Sequence, residues 1–224
     1  MRIVLLGAAG FIGTNLTIAL AQNTAHKITV IDSNKKFFHP IAALHLNNVE
    51  VKQDPLDVET DFVCLLENQD IVYHLISTTV PGTSNRYIAD EISQNVVMTS
   101  KMLDACVACR VKKIVFLSSG GAVYGPSAVC PIKENIETNP ISLYGLQKIA
   151  IEKLLYLYGY LYGIDYRIIR LANPYGPYQR PNGVLGVVTT FTYKALKNEP
   201  IPVYGDGSIV RDFIVCIMGL KPSP

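Results

Sequence analysis

The chain has almost no net charge: 20 basic side chains against 18 acidic ones leave +2 over 224 residues. The lysines and arginines are also scattered, so the concentrated cationic face that a nucleic acid requires is missing. The five cysteines, Cys64, Cys106, Cys109, Cys130 and Cys216, are odd in number and lack framework spacing. That excludes a disulfide scaffold and fits reduced thiols in a cytoplasmic protein. Cys106 and Cys109 form a CxxC pair, but no second ligand pair and no thioredoxin-like setting accompanies them, so packing is their expected role. His39 and His45 have no third ligand, and no metal is expected. No clean apolar run exists either. The stretch between Arg2 and His26 is uncharged, yet Gly7, Gly10, Gly13, Thr14, Asn15, Thr17 and Gln22 interrupt it. It reads as a buried strand and helix of a soluble protein, not as a signal peptide or membrane span. Internal repeats and low-complexity segments are absent.

The content that remains, 49% hydrophobic and 17% charged, suits one compact domain, or one domain with part of a second. Short apolar runs at Arg2–Leu6, Lys27–Ile31, Val49–Lys52, Asp70–Leu75, Lys113–Leu117 and Tyr166–Leu171 read as strands. Helical spacing falls between and after them, at Phe11–Gln22, Glu91–Cys109, Tyr144–Tyr162 and Leu185–Leu196. The alternation predicts an α/β fold: a doubly wound parallel sheet of Rossmann type. From Asn173 the texture changes, with Pro174, Gly176, Pro177, Pro181, Pro200, Pro202, Gly205 and Gly207 crowding a short span. We therefore expect a dinucleotide-binding domain over 1–172 and a small C-terminal substrate lobe over 173–224.

Gly7-Ala-Ala-Gly10-Phe-Ile-Gly13 follows the first strand and opens the first helix. Its spacing is GxxGxxG rather than GxGxxG. Gly7 suits a tight turn, Gly10 close approach to a pyrophosphate, and Gly13 helix–strand contact, with the pyrophosphate on amides at the helix N-terminus. Asp32 ends the second strand about twenty residues later, where a carboxylate accepts hydrogen bonds from ribose hydroxyls and repels a 2′-phosphate. The expected cofactor is NAD; Lys35 and Lys36 soften the preference over NADP.

Tyr144 and Lys148 stand at i and i+4, on one face of a helix. An ammonium there favours the phenolate, and a phenol so tuned takes a proton from an alcohol while a cofactor takes the hydride. His74 lies within an apolar strand and reads as structural.

The segments GAAGFIG, DIVYHL, LSSGGAVYG, YGLQK and RLANPYGPYQ, in this order, resemble the extended short-chain dehydrogenase/reductases. Within them the likeness is to NAD-dependent sugar-nucleotide epimerases of the UDP-glucose 4-epimerase type, and it runs from Met1 to about Ile214. The resemblance implies epimerisation through a 4-keto sugar, with Tyr144 as acid/base and Lys148 also holding the nicotinamide ribose. The third catalytic hydroxyl of that family falls on Gly120 here, so Ser119 becomes the candidate, with Ser118 beside it on the cofactor side. Gly121 and Ala122 replace the acidic pair of the related dehydratases, which argues against that chemistry. By the same resemblance Phe11, Ile12, Asp54, Leu75 and Asn95 line the cofactor site, Asn95 at the start of its helix. Thr78, Thr79 and Pro81 overhang the nicotinamide, and Thr79, Asn173, Arg180 and Arg211 face a nucleoside-diphosphate sugar. A homodimer through a four-helix bundle is implied, with Tyr156, Tyr158, Tyr160 and Tyr162 partly at the interface.

After GDGSIVRDFI the likeness stops, and Val215 to Pro224 follows no family pattern. This implies an apparent C-terminal truncation: an intact NAD half and an incomplete substrate lobe. Two functions of different class follow, an active epimerase (or a sugar-nucleotide reductase) and a catalytically impaired NAD-binding remnant.

Overall fold

In the computed structural model, described for residues 1–79, 85, 87–126, 128–181, 186–203 and 205–216, six parallel strands form the frame. They are β1 (Arg2–Leu6), β2 (Lys27–Asp32), β3 (Val49–Gln53), β4 (Ile71–His74), β5 (Lys113–Ser119) and β6 (Asp165–Leu171). Helices α1 (Phe11–Ala21), α2 (His39–Ala42), α3 (Phe62–Leu66), α4 (Ile88–Ile92), α5 (Met98–Ala108), α6 (Leu143–Tyr162) and α7 (Val187–Leu196) alternate with them. Strand order is β3-β2-β1-β4-β5-β6, with Leu6 opposite both Ile31 and His74. The order reverses between β1 and β4, so a crevice opens at the carboxyl ends of those two strands.

Two apolar layers hold the sheet. On one side Val4, Leu6, Ile114 and Phe116 pack with Phe62 and Leu66 of α3, Met98, Met102 and Leu103 of α5, and Ile151 and Leu155 of α6. On the other, Ile3, Leu5, Ile28 and Val30 meet Ala21 of α1 and Ile41 of α2. Burial from Ile3 through Leu6 follows from helices lying on both faces. The longest helix, α6, begins where the Ser142 side chain accepts from the Gly145 amide at 3.2 Å, and ends at Gly163 in the left-handed region.

The predicted strands and long helices are present, with shifted edges. The helix expected from Glu91 starts at Ile88 and carries a π-helical stretch at Ser93–Val97 before α5. Expected to begin at Leu185, α7 begins at Val187, and Leu185 lies outside the described residues. The helices α2 and α3 and a 3₁₀ turn at Lys35–Phe38 are too short to leave a readable period in sequence. A second small sheet was not foreseen: β7 (Asn173–Tyr175) pairs in parallel with β8 (Phe213–Val215). Beyond β8 the Cys216 amide donates to the Tyr175 carbonyl at 2.7 Å, which ties this end of the described chain to the small sheet.

Candidate active site

The glycine turn sits at the switch point. Gly7 has φ +81°, and a Cβ on it would come within 2.9 Å of the Ile76 backbone; one on Gly13 would come within 2.4 Å of the Ala8 carbonyl. Both are positions where backbone meets backbone. A Cβ on Gly10 would meet nothing within 4 Å, because Gly10 opens onto a cavity of about 560 Å³. Helix α1 has neither a side-chain cap nor an acidic residue in its first turn, so its leading amides are available to an anion. Asp32 Oδ2 accepts from the Ala9 amide at 3.0 Å and Oδ1 from the Asn34 amide at 3.2 Å, which places the carboxylate against the same turn. A dinucleotide fits these features: an open glycine cradle, free helix amides and a carboxylate at the end of β2.

Across the cavity lie Ser119 at the end of β5 and Tyr144 in the first turn of α6. Lys148 follows one turn later and is buried behind Tyr144. Its Nζ donates to the Leu117 carbonyl at 2.9 Å, 4.8 Å from the Phe116 ring centroid and 5.6 Å from that of Tyr144. Burial pulls the Lys148 ammonium down to about 8, with Glu152 working in the opposite direction. For Tyr144 the outcome differs from expectation. Burial pushes its phenol above the ordinary value, and a hydrogen bond with the Ser119 side chain draws it back. Desolvation dominates because the ring is enclosed while Lys148 is turned toward Leu117.

The geometry also accounts for Gly120. A Cβ there would stand 2.9 Å from the Arg170 carbonyl and 3.0 Å from the Ala172 amide. No hydroxyl-bearing side chain fits, and Ser119 is the serine placed against Tyr144. Ser118 is directed elsewhere, donating to Glu152 Oε1 at 2.5 Å although its residue lines the cavity.

Other expected site residues separate into two groups. Phe11, Ile12, Leu75, Asn173 and Arg180 line the cavity. Asn173 donates to the Asp212 carbonyl at 2.8 Å, and the Arg180 guanidinium lies 3.6 Å from the Phe37 ring centroid. Asp54 does not line it but stands beside Asp32, its amide 3.3 Å from the Asp32 carbonyl. Three other expected residues do not line the cavity. Thr79 is buried and donates inward to Gln147 Oε1 of α6 at 3.2 Å. Asn95 lies inside the π-helical stretch, not at a helix start. Its amide is taken up by Thr78 and the Glu91 carbonyl, so it fixes the loop after β4 and does not line the cavity. Arg211 is exposed outside the cavity, with Nη1 on the Val210 carbonyl. Pro81 lies outside the described residues.

His74 is buried, with Nε2 2.8 Å from Thr99 Oγ, and burial lowers it to about 3, so it is a neutral strand residue. Tyr158 is not on the surface, since its hydroxyl reaches Asp104 Oδ1 at 2.6 Å. Four tyrosines at every second position cannot share one helix face. Sequence reading missed the outer wall formed by Tyr175, Gln179, Val187 and Phe213, which the β7–β8 pairing assembles. It also missed Glu152 and Arg170. A glutamate at i+4 from Lys148 on the buried face of α6 was the available signal.

The chain is similar to several known proteins. The model of the NAD dependent epimerase/dehydratase family matches residues 3–216. A putative UDP-glucose 4-epimerase of Methanocaldococcus jannaschii is 35% identical over 216 residues, covering 95% of this chain and 68% of that protein. A UDP-N-acetylglucosamine 4-epimerase from Methanobrevibacter ruminantium, solved with UDP-N-acetylmuramic acid, superposes with a TM-score of 0.87 at 31% identity, covering 96% of this chain and 69% of its own. A UDP-glucuronic acid 4-epimerase from Bacillus cereus, solved with UDP-glucuronic acid and NAD, gives 0.84 at 30% identity, with 96% and 69% covered.

Proposed function

The chain belongs to the NAD-dependent epimerase/dehydratase family, and on that footing we propose that it inverts C4 of a UDP-sugar through a 4-keto sugar, with Tyr144 as acid/base. The observation that carries this is one cavity walled by Gly10, Ser119, Tyr144 and Asn173. When bound, NAD supplies reversible hydride acceptance at C4. The glycine turn and the uncapped start of α1 hold its pyrophosphate, and Asp32 its adenosine ribose.

Tyr144 takes the C4 hydroxyl proton as phenolate and returns it at the end of the cycle. Lys148 Nζ, 5.6 Å from the Tyr144 ring centroid, is the charge that would favour the phenolate against the burial that raises the phenol, and Ser119 bonds the same oxygen. Arg180 and Asn173, both on the cavity wall, would bind the sugar diphosphate. The two solved relatives named above are 4-epimerases of UDP-sugars, which supports the substrate class.

The reading includes a homodimer. Tyr156, Leu157, Tyr160 and Leu161 form an exposed apolar stripe on α6, at the spacing that pairs helices between subunits. The test of function is turnover of UDP-glucose and UDP-N-acetylglucosamine by the NAD-loaded protein, with Tyr144→Phe as control. We expect C4 inversion of at least one sugar and its loss in the variant. Unchanged turnover by Tyr144→Phe would overturn the assignment.

A further inference from the structure

Behind Tyr144, one turn beyond Lys148, α6 buries a second charge. Glu152 is buried, and both its oxygens are occupied: Ser118 donates to Oε1 at 2.5 Å, and Arg170 of β6 reaches Oε1 through Nε at 3.1 Å and Oε2 through Nη2 at 2.6 Å. Arg170 also donates through Nη1 to the Tyr124 hydroxyl and the Glu134 carbonyl, each at 3.0 Å. The forked arginine gives that carboxylate charge-assisted bonds at both oxygens. A buried ion pair rarely adds stability over an apolar pair of the same volume, so its place here asks for another consequence.

That consequence follows from what the pair touches. Lys148 holds the Leu117 carbonyl and Glu152 holds the Ser118 hydroxyl, consecutive residues immediately before Ser119. Arg170 holds Tyr124, in the turn whose Ala122 amide donates to Ser119 Oγ at 3.2 Å. We propose that Glu152 is a positioning residue for the reaction: clamped by Arg170, it keeps Lys148 charged and seats the end of β5, so that Lys148 can favour the Tyr144 phenolate. This rests on Tyr144 being the acid/base.

The electrostatics agree in sign, since the Glu152 field opposes the burial that lowers Lys148. The other groups facing this cluster do not supply that charge. His74 of β4 is neutral, Tyr124 is committed to Arg170, and Asp104 of α5 pairs with Tyr158 further along the helix.

The test is the pH profile of kcat for Glu152→Gln, beside ultraviolet titration of the Tyr144 phenolate, taken as the difference between each protein and its Tyr144→Phe counterpart. Without the carboxylate, Lys148 loses its proton at lower pH and the phenolate forms at higher pH. Both the acid limb of kcat and the phenolate titration should then move up by about one unit. Activity near neutrality should fall about tenfold and recover at alkaline pH, while Glu152→Asp, which keeps the charge, stays close to the wild type. Superimposable profiles for Glu152→Gln would overturn the proposal, even if stability fell. Should Glu152→Gln not fold, Arg170→Gln, which releases the same clamp, should move the limb up as well, and an unmoved limb refutes the proposal. If neither variant folds, the pair is a structural clamp and the positioning role falls. Activity surviving in Tyr144→Phe would defeat the acid/base reading itself. An inactive Tyr144→Phe with an unmoved Glu152→Gln limb would defeat only this inference.

Discussion

Position 120 has no room for a side chain, and this moves the hydroxyl at the site back to Ser119. Ser119→Ala should lower kcat on the order of a hundredfold with NAD binding unchanged, as measured by steady-state kinetics beside calorimetry. Gly120→Ser should not rescue that loss and should itself destabilise by roughly 1–3 kcal/mol, because its Cβ would strike the backbone of β6. A Gly120→Ser protein of full stability that restores Ser119→Ala would refute this geometry. Lys148 makes a second prediction. Its ammonium is lowered to about 8, so it is charged below that pH and loses its proton as pH rises through it. NAD affinity should fall as pH passes about 8 in the wild type and stay flat in Lys148→Met, by calorimetric titration. Tyr144 and Lys148 were legible because their relation is local, four residues along one helix. Glu152 and Arg170 were not, because their contact depends on β6 lying beside β5, and no local spacing encodes that.

Short elements and their junctions decide what shapes the site. The strands β1, β2, β4 and β5 could be read because each is a brief apolar run ending near glycine, aspartate or serine at the sheet's carboxyl edge. The π-helical stretch could not, and it is what turns Asn95 toward Thr78 and pins the loop after β4. Thr99, one turn after Asn95, bonds both the Asn95 carbonyl and His74, so strand and helix are joined by a neutral histidine. His74 is lowered from 6.5 to about 3, so the folded chain binds fewer protons than the unfolded one below pH 6.5. The stability that depends on His74 is therefore present above pH 6.5 and is lost as pH falls toward 3, by about 1.4 kcal/mol per pH unit. Urea unfolding at pH 5.5 and 4.5 should show that extra loss in the wild type relative to His74→Leu. Parallel losses would show that the histidine is not held neutral.

Over the whole molecule, the chain spans 68% of the Methanocaldococcus relative and 69% of the two solved epimerases, and within that span it builds the full dinucleotide sheet and one wall of the cavity. The main sheet ends at Leu171 and the β7–β8 sheet starts at Asn173. The β7–β8 pairing itself was hidden because its strands are three residues each and lie about forty apart in sequence. The α6 stripe gives the prediction at this scale. Tyr160, 79% exposed, lies central to it, and Tyr160→Lys should convert a dimer to a monomer in sedimentation velocity without loss of NAD binding. A wild-type chain that sediments as a monomer would refute the interface. The central claim is tested most directly by incubating the NAD-loaded protein with UDP-glucose in deuterated water and reading C4 of the product by NMR. We predict inversion at C4 with the original hydrogen retained there, and no product from Tyr144→Phe. Deuterium at C4, no inversion of any UDP-sugar tried, or undiminished product from Tyr144→Phe would contradict it.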